Sequence, residues 1–117
     1  MSETALELAH TIVETLDEKK GADILLLDLI GVCSFTDYFV LCTAVSERTL
    51  KALAEEVHLQ VKKKYSKNEY SLEGDASSGW ILIDYGDVIL HLFSADLRNY
   101  YKLEELWEDG KVLLRIQ

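Results

Sequence analysis

In the stretch SSGWILIDYGDVILHLFS, residues 77–94, two carboxylates, Asp84 and Asp87, bracket a Tyr85-Gly86 pair. Trp80 precedes them and His91 follows. Paired carboxylates beside a His can do acid–base chemistry or hold a metal. An extended strand places His91, four residues beyond Asp87, roughly 13 Å away from it. That is too far for one metal ion, and His91 stacked on Trp80 is the expected arrangement. His10 and His58 fall on separate helical segments, and neither joins a ligand motif.

Nucleophilic catalysis needs a base within reach of the nucleophile. Neither Cys33 nor Ser34 has a local His, and there is no G-x-S-x-G elbow. The sequence has no G-x-x-x-x-G-K-[ST] phosphate loop and no G-x-G-x-x-G. Cys33 and Cys42 fit no zinc spacing and sit in apolar surroundings, so they read as small buried hydrophobes. The expectation is a protein with no catalytic residues, no metal and no cofactor. The alternative for the opening stretch is a surface that grips a partner.

The 117 residues are 49% hydrophobic and 28% charged, an ordinary globular mix. They are expected to form one domain, 1–117, burying roughly two thirds of its unfolded surface. A net charge of −9 argues against strong direct binding of nucleic acid, where affinity comes from Lys and Arg neutralising phosphates. A basic partner suits that charge, and so does simple solubility; charge alone does not separate the two. No apolar run approaches the roughly 20 residues that span a bilayer. The acidic start, MSETALELAH, resembles neither a secretory signal nor a transit segment, so the expected location is cytoplasmic.

Certain elements must position these residues. Ser2 or Thr4 can cap a first helix, whose stripe is Ala5, Leu8, Ala9, Ile12, Val13 and Leu16. Lys19, Lys20 and Gly21 end it. Residues 22–29 and 37–44 read as strands. Ser46 opens a helix with the stripe Leu50, Leu53, Ala54, Val57 and Val61, and Lys62, Lys63 and Lys64 suit its negative end. NEYSLEG reads as a weak edge strand, DASSG as a polar loop, and Ser94 as the cap of a helix from Ala95. LEELWEDGK ends that helical region, and VLLRI can add a last strand. The order α-β-β-α-β-β-β-α-(β) indicates an α/β, α+β-like, two-layer sandwich with a mixed sheet of about five strands.

A two-residue loop at Tyr85-Gly86 would set Asp84 opposite Asp87, Ile83 opposite Val88 and Trp80 opposite His91. One face of this hairpin then carries Ile81, Ile83, Val88, Leu90 and Leu92, and is core. The other carries Trp80, Leu82, Asp84, Asp87, Ile89, His91 and Phe93. Either Asp can take backbone N–H groups in the turn, or both can point at a Lys or Arg of another molecule. Trp80 and Tyr85 combine large area with a polar handle, which tilts the patch toward binding. The same exposed aromatics could also self-pair in a homodimer.

Two segments carry a resemblance. SFTDYFVLCTAVSERTLKALAEEV (34–57) and GWILIDYGDVILHLFSADLRNYYKLEELWED (79–109) closely resemble the Iojap family, the ribosomal silencing factors (RsfS). The family pattern includes S-F-T-D-Y-F-V, a following S-x-R, G-W-x-L-x-D-Y-G-D-V-x-x-H-x-F and Y-x-L-E-x-L-W, and every element is present within residues 25–109. Ala44 stands where a Gly often follows the Thr, a second Tyr sits at 101, and GKVLLRIQ carries no family signal.

The resemblance implies a protein that binds the large ribosomal subunit on its intersubunit face, through the fourteenth large-subunit protein. Bound there, it blocks small-subunit joining and lowers translation under nutrient limitation. Organelle members assist large-subunit assembly, and no catalysis is attributed to the family. The implied fold is similar to the nucleotidyltransferase fold. That enzyme class needs a Gly-Ser and a D-x-D pair for Mg²⁺, whereas TAVSERTLKALAEEV after the second strand has neither. On this reading Trp80, Asp84, Tyr85, Asp87 and His91 form the partner-binding surface. The family motif residues Thr36, Asp37, Tyr38, Tyr100, Leu103, Leu106 and Trp107 extend it or pack the core. Leu106 and Trp107, at helical spacing, lean toward packing. Asp37, just before a strand, can equally be a turn cap.

Overall fold

The computed structural model describes residues 2–65, 71–101 and 110–116. Their order is α1 (Ser2–Glu18), β1 (Ala22–Asp28), β2 (Tyr38–Ala44), α2 (Glu47–Tyr65), β3 (Ser71–Asp75), a 3₁₀ turn (Ala76–Ser78), β4 (Trp80–Asp84), β5 (Val88–Ser94), α3 (Ala95–Tyr101) and β6 (Lys111–Ile116). This is the expected succession, with VLLRI present as the sixth strand. DASSG, expected as a loop, holds the 3₁₀ turn, capped by Asp75 Oδ1 accepting from Ser78 N at 2.9 Å. The LEELWEDGK segment lies largely outside the described residues.

The strands form one mixed sheet in the order β3-β4-β5-β2-β1-β6. Only β2 and β5 run parallel among these neighbours; the other pairs are antiparallel. The central strands β1, β2 and β5 are buried on both faces, which is why they read as unbroken apolar runs. In β4, next to the edge strand β3, burial alternates residue by residue.

One face packs under α1 and α2. Leu8, Ile12 and Leu16 of α1 and Leu50, Leu53, Val57 and Val61 of α2 meet Ile24, Leu26, Val40, Ile83, Leu90 and Leu92. Both expected helical stripes are therefore core. Thr11 Oγ1 and the Tyr65 hydroxyl, 2.8 Å apart, join the two helices. On the other face Leu25, Leu27, Leu29, Phe39, Leu41, Ile89 and Phe93 make a second cluster, joined by Trp80, Leu82 and Leu97.

Arg98, which sequence reasoning passed over, ties α3 to the far end of the sheet. Its Nη1 donates to the Asp23 carbonyl at 2.7 Å and to Thr43 Oγ1 at 3.0 Å. Asp23 sits in an irregularity of the β1–β2 ladder with φ +48°, and its carboxylate lies 3.8 Å from both Arg98 and Arg115.

Candidate partner-docking site

The hairpin that carries the sequence-identified residues keeps its faces but not its register. Ile83 lies opposite Leu90, Leu82 opposite His91 and Trp80 opposite Phe93, two residues from the expected pairing. The cause is Tyr85. Its side chain continues the inward alternation of Ile81 and Ile83 and is fully buried. The connection therefore takes three residues, 85–87. Tyr85 N donates to Val88 O at 2.9 Å, and Gly86 adopts φ +92°. A slip of two preserves the face of every side chain, because strand alternation has period two.

Three residues expected on the surface are corrected by this geometry. Tyr85 belongs to the core under the helices. Tyr38 is buried in the same core, where burial and then the carboxylates of Asp28 and Asp37 raise its phenol above the ordinary range. His91 is buried on the opposite face among aromatic rings. It meets Phe39 edge-on at 4.8 Å and lies parallel to Phe93 at 5.8 Å, whereas its centroid distance to Trp80 is 6.1 Å and tilted. The ring that stacks with Trp80 is Phe93, at 5.3 Å. Burial pushes the His91 pKa down to about 4, so the ring is neutral at pH 7.

The carboxylates divide their roles. Asp84 Oδ1 accepts from Gly86 N at 2.7 Å and so caps its own turn. Asp87 is exposed, and among the described residues its carboxylate accepts no hydrogen bond and joins no ion pair. Its backbone is fixed nonetheless. The Asp87 carbonyl accepts from Asp37 N at 3.1 Å and from Tyr38 N at 3.0 Å. Asp37, half-buried, makes no side-chain cap among the described residues. Thus Asp37, Asp84 and Asp87 gather at one end of the sheet, where β2 and β5 begin.

Trp80 is not part of that end. It is half-buried, four residues along β4 from Asp84, roughly 13 Å, and borders a depression with Glu73, Gly74, Ser78 and Leu82. Thr36 is buried, with Oγ1 3.4 Å from the Tyr38 carbonyl. Tyr100 lies on α3. Leu103, Leu106 and Trp107 fall outside the described residues.

Other chemistry finds little support in the described residues. No three His, Cys, Asp or Glu converge among them. The Cys42 thiol is pushed up to about 12, first by burial, and is unreactive. A crevice opens where β2 and β5 end, the place where open α/β sheets bind ligands. Two of its serines are engaged as caps: Ser46 Oγ accepts from Thr49 N at 3.1 Å, and Ser94 Oγ from Leu97 N at 3.3 Å. No helix among the described residues is long and apolar enough to cross a membrane.

The family model described as "Ribosomal silencing factor during starvation" matches residues 2–116. The chain belongs to the ribosomal silencing factor family. It is 39% identical over 101 residues to the ribosomal silencing factor RsfS of Bacillus subtilis, covering 80% of this chain and 79% of that one. It is 32% identical to the mouse "Mitochondrial assembly of ribosomal large subunit protein 1", over 82% of this chain and 43% of that protein. The solved structure of a Chromobacterium violaceum protein superposes with a TM-score of 0.83 at 34% identity, covering 88% of this chain and 85% of that one.

Proposed function

We propose that this chain is a ribosomal silencing factor of the cytoplasm. It docks the carboxylate-bearing end of its sheet on the large ribosomal subunit, at the fourteenth protein of that subunit, on the intersubunit face. The observation that carries this reading is Asp87: an exposed carboxylate with no internal partner among the described residues, on a backbone held rigidly by Asp37 and Tyr38. Such a group can meet a Lys or Arg without first giving up a bond of its own, and the fixed turn limits the ordering cost. Asp37 adjoins it, and Asp84 shapes the turn. Trp80, further along β4, contributes aromatic area at the margin.

The mechanism is steric. A body of 34 × 33 × 24 Å on the joining face excludes the small subunit without making or breaking a bond. A second reading, assistance in large-subunit assembly, is favoured by the name of the mouse relative. The deciding experiment mixes the purified protein with free subunits. Co-sedimentation with large but not small subunits, and fewer joined ribosomes as protein is added, supports silencing. Binding without any effect on joining favours assembly. Equal recovery with both subunits overturns docking on the large one.

A further inference from the structure

The loop between β1 and β2 places three apolar side chains in solvent: Ile30 at 49% exposure, Val32 at 40% and Phe35 at 60%. Single exposed hydrophobes need no explanation, but three within six residues of one loop form a patch. The loop is also built rather than loose. Leu29 N donates to Asp37 O at 2.8 Å and closes its two ends. Val32 N and Cys33 N both donate to Leu29 O at 2.9 Å, Ile30 N donates to Asp28 Oδ1 at 2.9 Å, and Gly31 turns the chain at φ +82°. The Phe35 ring leans on Phe39 at 6.3 Å.

This loop is continuous with the acidic end of the sheet. Asp28 and Asp37 lie at its two ends, and Asp37 N is bonded to the Asp87 carbonyl. We propose that Ile30, Val32 and Phe35 are an apolar anchor that enters a nonpolar depression on a protein partner, rimmed by Lys or Arg that meet the flanking carboxylates. The anchor rests on the docking reading above and enlarges its surface.

The carboxylates select the occupant. Asp28, Asp37, Asp84 and Asp87 would repel phosphate, whether of RNA or of an anionic membrane. In a two-fold pairing of copies through this end of the sheet, one cluster of acids would face the other, on a chain of net charge −9. A basic protein surface is the chemistry that remains. A few buried apolar anchors inside a polar rim commonly dominate affinity at such interfaces.

The test uses the full chain with Ile30→Ser and Phe35→Ser, and Leu59→Ser, an exposed apolar position on α2, as control. Each is titrated against free large subunits, with thermal melts alongside. Because Phe35 touches Phe39, Ile30→Ser keeps the test decisive if Phe35→Ser loosens the fold. The expected result is a tenfold or greater loss of affinity for both loop variants, melts near wild type for Ile30→Ser, and an unchanged control. Wild-type affinity in both variants, while the wild type binds, overturns the anchor alone. A wild type that does not bind overturns the docking reading and the anchor together. The same tenfold loss on protein-stripped large-subunit RNA, or a wild-type dimer that either loop substitution dissociates, assigns the patch to RNA or to a second copy and overturns the proposal.

Discussion

The Asp87 backbone carbonyl is bound by the Asp37 amide at 3.1 Å, which joins the β4–β5 turn to the β1–β2 loop. Two segments separated by fifty residues of sequence are thereby one rigid edge. The exposed carboxylate of Asp87 is carried on that edge, and its main chain does the structural work while its side chain does none.

Asp87 and Asp84 should therefore separate binding from folding. Asp87→Lys is expected to weaken binding to large subunits by about 2–5 kcal/mol, the usual consequence of losing one charge of an interfacial pair. Its melting should stay within about 1 kcal/mol of wild type, since the backbone bonds persist. Asp84→Ala removes the 2.7 Å bond to Gly86 N and should cost about 1 kcal/mol of stability. Titration against isolated subunits beside denaturant melts checks both. Normal binding by Asp87→Lys would sink the docking role of this turn.

Ile83 lies on the same strand with the opposite orientation, fully buried under the helices. Ile83→Asp buries a charge without a partner and should leave the domain unfolded at 25 °C. Ile83→Ala should lose about 2–5 kcal/mol and keep the fold. Far-UV circular dichroism distinguishes the two. A folded Ile83→Asp would mean that the hairpin faces are exchanged.

Much of this fold is legible in residue spacing. The α1 and α2 stripes, the double-sided strands and the Ser94 cap all follow from local pattern, because burial and capping leave a periodic record. The hairpin register did not, since a Tyr-Gly pair reads as a two-residue turn until the burial of Tyr85 is known. The same burial, with that of Tyr38 and His91, removed three residues from the expected surface. An aromatic residue with a polar tip looks alike in sequence whether it anchors a core or a partner. Ile30, Val32 and Phe35 were missed for the converse reason: apolar residues in a short connection read as core edges until their exposure is seen. Arg98 left no signal at all, because its acceptors at positions 23 and 43 are brought to it only by the sheet.

That tie gives a further expectation. Arg98→Met removes the two Nη1 bonds to Asp23 O and Thr43 Oγ1 and should destabilise the protein by about 2–3 kcal/mol. Arg98→Lys should recover only part of this, since the shorter side chain ends in one ammonium and does not reproduce both the Nη1 position and the Nη2 that faces the Asp23 carboxylate at 3.8 Å. Chemical denaturation of the two variants measures the difference. Equal stability of Arg98→Lys and wild type would show that charge near Asp23, rather than the geometry of the bonds, holds α3.

His91 sets a pH dependence of known sign. Among the described residues neither ring nitrogen has a hydrogen-bond partner, and burial lowers the pKa from 6.5 to about 4. Between those values the unfolded chain takes up a proton that the folded chain refuses, so stability falls as the pH drops. The slope approaches about 1.4 kcal/mol per unit, giving a loss of about 2 kcal/mol between pH 7 and pH 5. Well above pH 6.5, once the unfolded-state imidazole is also neutral, the contribution is complete and flat. His91→Phe keeps a ring of similar size between Phe39 and Phe93 and has nothing to protonate. At pH 7 it should be as stable as wild type or more so, because two unpartnered buried nitrogens are removed. At pH 5 it should exceed wild type by about 2 kcal/mol more than it does at pH 7. Urea midpoints for both proteins at the two pH values give this difference directly, and parallel pH profiles would show that the ring is hydrated rather than enclosed by its aromatic neighbours.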